Sequence, residues 1–332
     1  MNLAIVTLYF GKLPALFPFW LKSCKYNEDV TFILITNSNK PAELPSNVKY
    51  YYSTPEDFES RVKEKLNIEC RLDGRVYKTC DYRPLFGIIY NDYLSEYEYI
   101  GQCELDMIFG KLSHFLNDDL LHQYQKLFDY GHLTIYKNNY FVFNHLDTEF
   151  GNSYTYRKLL EKQELCNCDE QFHDYSINTL FDELGVPIYE TANDRIGDVA
   201  QEHYRFILWD HSSRKTFEDK NCKMIFSWNA GNLNGMILRN NNLQKKEFVY
   251  IHLQKRQMTF NVDSDADKYL IVPNSFERYQ EITKEYVIEH SKANFFYPQF
   301  YKTHMNGIKL RVNRLVSHDN LTWEVGSYKK KK

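Results

Sequence analysis

The chain has 332 residues, of which 43% are hydrophobic and 26% charged, so it is long enough and apolar enough to bury a core. This composition excludes an intrinsically disordered chain, and a net charge of −3 excludes the general basicity of a nucleic-acid-binding protein. Aromatic residues reach 16%, which suits a protein that stacks rings on flat or sugar-like ligands and equally suits a genome rich in their codons.

Seven cysteines, an odd count without framework spacing, indicate the reduced thiols of a cytosolic protein. Residues 1–20 are apolar but lack a basic n-region, and no stretch reaches the roughly 18 to 20 apolar residues of a membrane span. The lysines at 329–332 either contact an anionic membrane or form a solvated end. The sequence therefore predicts a cytoplasmic protein, peripheral at most at the inner membrane face.

The first 70 residues alternate between strand and helix patterns. Two short apolar runs, residues 3–10 and 30–36, predict buried strands, and residues 48–52 predict a third short strand. Residues 13–26 carry apolar side chains on one helical face. Ser53 or Thr54 as the cap, with Pro55 in the first turn, predicts the start of a second helix. This alternation is typical of a parallel, doubly wound sheet.

The rest of the chain predicts more elements of both kinds. The predicted helices are residues 81–93, 154–163, 172–184 and 274–295. The predicted strands are residues 98–103, 131–136 and 140–144, followed by fragments in an irregular region beyond 186. We expect one domain over residues 1–260 and a C-terminal helical extension over 261–332.

Two carboxylates, Glu104 and Asp106, follow the predicted strand at residues 98–103. In open α/β sheets ligands bind at the carboxyl ends of the strands. Two hard oxygen donors there can hold Mg²⁺ or Mn²⁺, which in turn bridges a diphosphate. The alternative is an acidic pair that only ends a strand.

The segment from 78 to 110 resembles GT-A glycosyltransferases, in which an Asp-x-Asp motif follows a hydrophobic strand. The runs CDYRPLFG, GQCELDMIFG and a late HLQKR also resemble an uncharacterised family of glycosyltransferase-like proteins of bacterial capsule and exopolysaccharide gene clusters. The resemblance spans residues 1–260. It implies an α/β fold of the GT-A type, with a mostly parallel central sheet flanked by helices, and a Mn²⁺ or Mg²⁺ cofactor. Glu104 departs from the motif, in which most members carry Asp, so Asp106 is the better expected ligand.

The resemblance also implies where the nucleotide of the donor binds. It places a basic residue and an aspartate upstream of the central strand in contact with the nucleoside, positions held here by Lys78, Asp81 and Arg83. The base is expected over the exit of the first strand, at Thr7, Tyr9, Phe10 and Gly11. A tyrosine ring can stack on uracil and a glycine lets the backbone approach closely, although a plain strand-to-helix turn needs the same residues.

Two later segments complete the expected site. In similar enzymes a late histidine completes the metal shell, which implies His252, and a nearby cation pairs with the diphosphate, which implies Lys255 and Arg256. A surface histidine beside a basic turn is the alternative. A DE pair near this point in many GT-A enzymes is the catalytic base or acceptor anchor, which implies Asp169 and Glu170, although the dipole of a helix start also explains acidic residues there.

The resemblance therefore implies transfer of a sugar from a nucleotide-sugar, a UDP-sugar in the first instance, to a hydroxyl of a growing glycan or lipid-linked oligosaccharide. Two other classes stay open. A metal-dependent nucleotidyltransferase or nuclease would use the same carboxylates; it predicts a further acidic residue on a neighbouring strand and a basic groove, and the sequence shows neither clearly. A non-catalytic carbohydrate-binding protein would need only the aromatic residues.

Overall fold

The computed structural model describes residues 1–170, 174–190, 195–200, 204–210, 215–216, 222–254, 256–293 and 305. The strands are β1 (Leu3–Tyr9), β2 (Thr31–Thr36), β3 (Val48–Tyr52), β4 (Tyr99–Cys103), β5 (Met107–Phe109), β6 (Lys126–Leu127), β7 (Leu133–Lys137), β8 (Glu149–Phe150), β9 (Tyr154–Thr155), β10 (Ile188–Tyr189), β11 (Ile196–Asp198), β12 (Trp209–Asp210), β13 (Lys215–Thr216), β14 (Lys223–Asn229), β15 (Asn232–Arg239), β16 (Asn242–Glu247), β17 (Tyr250–His252), β18 (Thr259–Phe260), β19 (Lys268–Val272) and β20 (Ser275–Arg278). The α-helices are α1 (Phe17–Lys25), α2 (Pro55–Leu66), α3 (Phe86–Ile89), α4 (Asn91–Leu94), α5 (Asp118–Gln123), α6 (Phe141–Asn144), α7 (Tyr156–Leu160), α8 (Ile177–Glu183) and α9 (Lys284–His290), and 3₁₀ helices span Val76–Leu85 and Leu112–His114.

The central sheet contains seven of these strands in the order β10–β6–β7–β4–β1–β2–β3. The four strands β3, β2, β1 and β4 are parallel neighbours, and β7 runs antiparallel to both β4 and β6. Because β1 and β4 run in the same direction, their carboxyl ends meet at one edge of the sheet. The predicted fold class, a mostly parallel α/β sheet flanked by helices, is confirmed.

Helices cover both faces of this sheet. On one face α2 buries Phe58 and Val62 against Val6 and Ile33 of the first two strands. On the other face the helix α1 buries Trp20 against the residues of these strands that point the opposite way, such as Phe32. The predicted start of α2 is confirmed: Thr54 is the N-cap of a capping box, and a proline opens the first turn.

A small three-stranded sheet brings distant segments to the exit of β4. The middle strand β17 pairs antiparallel with β5 and parallel with β11. In this register His252 lies opposite Met107 on one side and Asp198 on the other. Since Met107 directly follows Asp106, the fold places His252 and Asp198 beside the acidic segment.

A six-stranded sheet in the order β16–β15–β14–β19–β20–β18 packs against the small three-stranded sheet. The expected domain boundary at residue 260 falls inside this sheet, because Lys268–Val272 pairs with Lys223–Asn229. Residues 274–295, predicted as one helix, contain β20 and the helix α9. Beyond residue 293, the expected helical extension lies outside the described residues except for Met305. Among the helices of the described part of the chain, none has the length and apolar composition to cross a bilayer.

Two further elements differ from the sequence predictions. Residues 140–144, predicted as a strand, include the short helix α6. The prediction was wrong because the periodicity of so brief an apolar run does not distinguish a strand from a helix. The helix predicted at residues 81–93 is broken into a 3₁₀ helix, α3 and α4. Pro84 lies in that 3₁₀ segment and lacks an N–H donor, which disfavours a regular α-helix at this point.

Candidate functional site

The carboxyl ends of β1 and β4 form one end of the candidate site. The hydroxyl of Thr7, in β1, lies 3.0 Å from the Sγ atom of Cys103 and donates to the carbonyl oxygen of Cys103 at 3.3 Å. This contact ties the two strand ends together. Glu104 and Asp106 follow directly, at the sheet edge where the sequence predicts them.

Three side chains converge at this edge. His252 Nε2 lies 3.3 Å from Glu104 Oε2 and 3.4 Å from Asp106 Oδ1, and one ligand atom from each residue lies within 4.8 Å of the others. Two ligand atoms bound about 2.1 Å from one cation are about 3.0 to 3.4 Å apart at octahedral or tetrahedral angles. Nε2 is buried and has no hydrogen-bond partner of good geometry in the described part of the chain. The predicted metal residues therefore lie together, with spacing and donor types that fit a divalent cation.

The other nitrogen of the His252 ring faces a third carboxylate, that of Asp198. Nδ1 lies 2.8 Å from Asp198 Oδ1, and the side-chain amide of Gln254 donates to the same oxygen at 2.7 Å. The His252 ring also stacks on His132, with centroids 4.5 Å apart and ring planes inclined by 24°. Both the plane and the edge of this imidazole are thus held by neighbours.

The charges of the cluster alter the acidities within it. Burial alone would lower the pKa of His252, but the carboxylates of Asp106, Asp198 and Glu104 raise that pKa well above its ordinary value. Burial would likewise raise the pKa of Glu104, but Arg83 and His252 hold it well below its ordinary value. A cation bound here would therefore meet an ionised Glu104 and would take the place of a proton on His252.

Arg83 connects this cluster with a second acidic pair. Its Nη2 lies 2.7 Å from Glu104 Oε1, and its Nη1 lies 3.2 Å from Asp169 Oδ2. Nη1 also donates to the carbonyl oxygen of Gly131 at 2.9 Å. The guanidinium thus bridges two carboxylates, while the contact with a nucleoside that the sequence predicts for Arg83 stays a prediction.

The carboxylates of Asp169 and Glu170 both approach Gly131. The Gly131 N–H donates to Glu170 Oε2 at 3.1 Å, and a Cβ at this glycine would lie 2.7 Å from that same oxygen. Burial raises the pKa of Asp169 to about 8, with Glu170 and Asp81 adding to the shift and Arg83 opposing it. Burial also raises the pKa of Glu170. A carboxyl whose pKa lies near the working pH is suited to exchange a proton with a hydroxyl group.

A cavity of about 660 Å³ joins these groups. Its polar wall is formed by Thr7, Arg83, Glu104, Asp106, Asp169 and Glu170, and its apolar wall includes Leu16, Leu253, Met258 and Phe260. His252 is not part of this wall. The volume is that of a typical site for a small organic ligand.

The residues expected around a nucleoside base divide into two groups. Tyr9 and Phe10 border the cavity together with Thr7. Gly11 does not; its φ is +115° and its N–H donates to Asn37 Oδ1 at 2.8 Å. A glycine at this φ is explained by the turn that follows β1.

Lys78 and Asp81 are buried away from the cavity. Lys78 Nζ lies 3.0 Å from Asp81 Oδ2 and donates to the Leu159 carbonyl at 2.9 Å. The Asp81 carboxylate also accepts hydrogen bonds from the backbone N–H groups of Cys166 and Cys168. With exposed fractions of 2% and 0%, the pair anchors the loop that leads to Asp169, and the expected contact with a nucleoside does not follow from the structure.

The structure describes Arg256, one of the two late cations. Arg256 borders the cavity, but its guanidinium donates to the carbonyl oxygens of Ala200, at 3.0 Å, and Pro273, and packs on the Phe206 ring. These contacts hold the guanidinium within the protein, and its pairing with a diphosphate stays a prediction. Lys255 lies outside the described residues.

Sequence reasoning missed Asp198, His132 and Gly131. Asp198 ends a three-residue strand in an irregular region, so its place depends on pairing with a strand more than fifty residues later. No sequence motif marked Asp198, and the structure places it on β11, which pairs with β17 and is not a neighbour of β4 or β5.

The comparisons with solved structures give three glycosyltransferases among the similar chains. A galactosyltransferase, LgtC, in complex with donor and acceptor sugar analogues is 10% identical, with a TM-score of 0.35, over 59% of this chain and 75% of that one. The glycosyltransferase GlyE of Streptococcus pneumoniae is 11% identical, with a TM-score of 0.32, over 57% of this chain and 45% of that one. Mouse xyloside xylosyltransferase 1 is 8% identical, with a TM-score of 0.34, over 59% of this chain and 87% of that one. At these scores the similarity does not bear on the activity of this chain.

No curated protein matches the sequence. A family match covers most of the chain, from the first strand of the central sheet through the six-stranded sheet. Residues 5–280 match DUF6625, a family of unknown function, and the chain belongs to that family.

Proposed function

We propose that this protein is a metal-dependent glycosyltransferase that moves a sugar from a nucleotide-sugar, a UDP-sugar in the first instance, to a hydroxyl of a glycan. The observation that carries the proposal is the convergence of Glu104, Asp106 and His252 at the exit of β4, on the edge of a cavity that also holds Asp169 and Glu170. A cation site and a separate acidic pair in one cavity are what this transfer needs.

The residues would divide the work as follows. Asp106, His252 and the free edge of Glu104 would hold Mn²⁺ or Mg²⁺, which when bound would neutralise charge on a diphosphate. The rings of Tyr9 and Phe10 would lie against the nucleoside base, at the exit of the neighbouring strand. Asp169 or Glu170 would orient the acceptor hydroxyl and accept its proton.

The wider setting belongs to the same proposal. A capsule or exopolysaccharide precursor, carried on a lipid at the inner membrane face, is the acceptor that the sequence resemblance implies. A lipid-linked acceptor would place the protein at that surface without a membrane span.

The test is a panel of UDP-, GDP- and CDP-sugars incubated with Mn²⁺ or with EDTA and scored for released nucleotide. We expect release from one class of donor, dependent on the cation and stimulated by an acceptor glycan. Thermal unfolding with UDP and Mn²⁺, against UDP and EDTA, separates the alternatives, because a ligand that binds the native state raises its stability. Stabilisation by glycans alone, without nucleotide or cation, would favour a carbohydrate-binding protein. Cleavage of nucleic acid would favour a nuclease.

A further inference from the structure

We propose that Asp198 is a positioning residue whose carboxylate holds the His252 imidazole with Nε2 turned toward Glu104 and Asp106, and thereby sets the affinity of the site for a divalent cation. The inference rests on the proposed function, since it needs a cation at that cluster. It concerns a residue that the sequence motifs do not include.

The strand register places the two side chains next to each other. Asp198 and His252 are paired positions of the parallel strands β11 and β17, and both side chains are almost fully buried. Their contact joins Oδ1 to Nδ1 at 2.8 Å. That distance is typical of a charge-assisted hydrogen bond, in which the ring nitrogen donates to the carboxylate.

The hydrogen bond decides which edge of the ring faces the cluster. Stacking on His132 fixes the plane of the His252 ring, but a half-turn about χ2 keeps that plane. Such a turn would place a carbon, rather than Nδ1, against Asp198. The Asp198 contact therefore favours the one orientation in which Nε2 lies between Glu104 and Asp106. With the proton held on Nδ1, the lone pair of Nε2 is available to a metal.

Asp198 acts through the histidine rather than as a ligand itself. Asp198, His132 and His252 also form a compact group. However, a hydrogen-bonded separation of 2.8 Å leaves no room for an ion between Nδ1 and Oδ1, since two ligands of one cation lie about 3.0 Å apart or more. Gln254 supports this arrangement by donating to the same carboxylate oxygen, which fixes its direction.

The experiment measures Mn²⁺ binding by electron paramagnetic resonance titration, without nucleotide or substrate. The variants are Asp198→Leu, which removes the acceptor, Asp198→Asn, which keeps an acceptor but no charge, and Gln254→Ala. The matched control is Glu247→Gln, which alters another histidine–carboxylate contact, the 2.6 Å pair between Glu247 and His114. Electron spin-echo modulation from ¹⁴N reports whether an imidazole binds the ion.

We expect Asp198→Leu to raise the dissociation constant for Mn²⁺ roughly 10- to 100-fold and to weaken the ¹⁴N modulation. Asp198→Asn should restore part of the affinity, Gln254→Ala should lose less than Asp198→Leu, and Glu247→Gln should match the unsubstituted protein. If Asp198→Leu does not fold, as judged by thermal unfolding, the other two variants decide. Unchanged affinity and ¹⁴N modulation in Asp198→Asn and Gln254→Ala would overturn the inference.

The outcomes separate this inference from the proposed function. Strong Mn²⁺ binding that is insensitive to Asp198 would overturn the positioning role and leave the transferase proposal standing. Sensitivity to Asp198 in a protein that releases no nucleotide from any donor would do the reverse. An unsubstituted protein that binds no Mn²⁺ would overturn both.

Discussion

Arg83 Nη2 lies 2.7 Å from Glu104 Oε1, while the other oxygen of the same carboxylate lies 3.3 Å from His252 Nε2. Glu104 therefore has one oxygen held by a permanent positive charge and one directed at the candidate cation site. Through Nη1 the same guanidinium reaches Asp169, so that Arg83 links the proposed metal edge with the proposed acceptor edge.

Removing Arg83 should destabilise the protein strongly. Arg83→Met would remove the counter-charge of the partly buried Glu104 carboxylate and the donor to the Gly131 carbonyl, and we expect a loss of about 3 kcal/mol in the free energy of unfolding, measured by urea titration in EDTA. Arg157→Met is the matched control, because Arg157 also pairs with a carboxylate, Asp147, and donates to a backbone carbonyl, but at the surface. The control should lose less than about 1 kcal/mol. Equal losses in both variants would contradict the bridging role.

Asp106 should be essential for transfer and dispensable for folding. We expect Asp106→Ala to reduce nucleotide release at least about a hundredfold, because a cation that stabilises transition-state charge contributes several kcal/mol. The free energy of unfolding should change by about 1 kcal/mol or less, since the removed carboxylate lies among other acids at a strand exit. His252→Ala should reduce nucleotide release less than Asp106→Ala does. The control is Asp119→Ala, at an exposed position in α5. If the Asp106→Ala protein still releases nucleotide at the rate of the unsubstituted protein, the metal assignment is refuted.

The predicted nucleoside contacts can be separated by paired substitutions. Lys78→Met breaks a buried ion pair, so it should lower the free energy of unfolding by about 3 to 5 kcal/mol while UDP affinity at a temperature below unfolding changes little. Tyr9→Ala should lower the UDP affinity and change the free energy of unfolding little, since the Tyr9 side chain borders the cavity. Both quantities are measured by denaturant titration and by calorimetry with UDP. A stable Lys78→Met protein that has lost UDP affinity would restore the role expected from sequence.

The elements that hold the site were largely predictable from sequence. The strands β1 and β2 are mostly apolar runs with clear ends, and α2 begins at a recognisable capping box. Glu104 and Asp106 were predictable because they directly follow such a strand. His252 was predictable because a short apolar run precedes it and because the sequence resemblance implies a late histidine.

The parts that were not predictable depend on long-range pairing. Asp198 reaches His252 only because β11 and β17 lie in one small sheet, and neither strand has more than three residues. Lys78 illustrates the opposite error: a lysine beside a motif suggests a ligand contact, but its aliphatic chain is buried and its charge is satisfied by Asp81. Pro84 shows why residues 81–93 could not form one regular helix, which shifts the side chains that a helical projection would align.

A buried lysine gives the stability a pH dependence of known sign. Lys126 Nζ donates to the Phe128 carbonyl at 2.6 Å, and burial lowers its pKa to about 7, against the opposing effect of Asp129, Asp169 and Glu190. Below that pKa the folded protein holds a charged buried amine, and above the unfolded pKa of about 10.4 neither state is charged. The contribution of Lys126 to stability therefore rises with pH across this window, by up to about 1.4 kcal/mol per unit.

Lys126→Met tests that sign. The variant should be more stable than the unsubstituted protein near pH 7, and its advantage should shrink as the pH rises toward 10. Urea titrations at pH 7, 8 and 9 measure the difference. A difference that is constant, or that grows with pH, would contradict the lowered pKa.

The most direct test of the account is the position of Mn²⁺ in crystals grown with UDP, located by anomalous scattering at the manganese edge. We expect a manganese peak within about 2.5 Å of both Asp106 Oδ1 and His252 Nε2, at the exit of β4. Full occupancy by UDP with no manganese peak between these two side chains would contradict it.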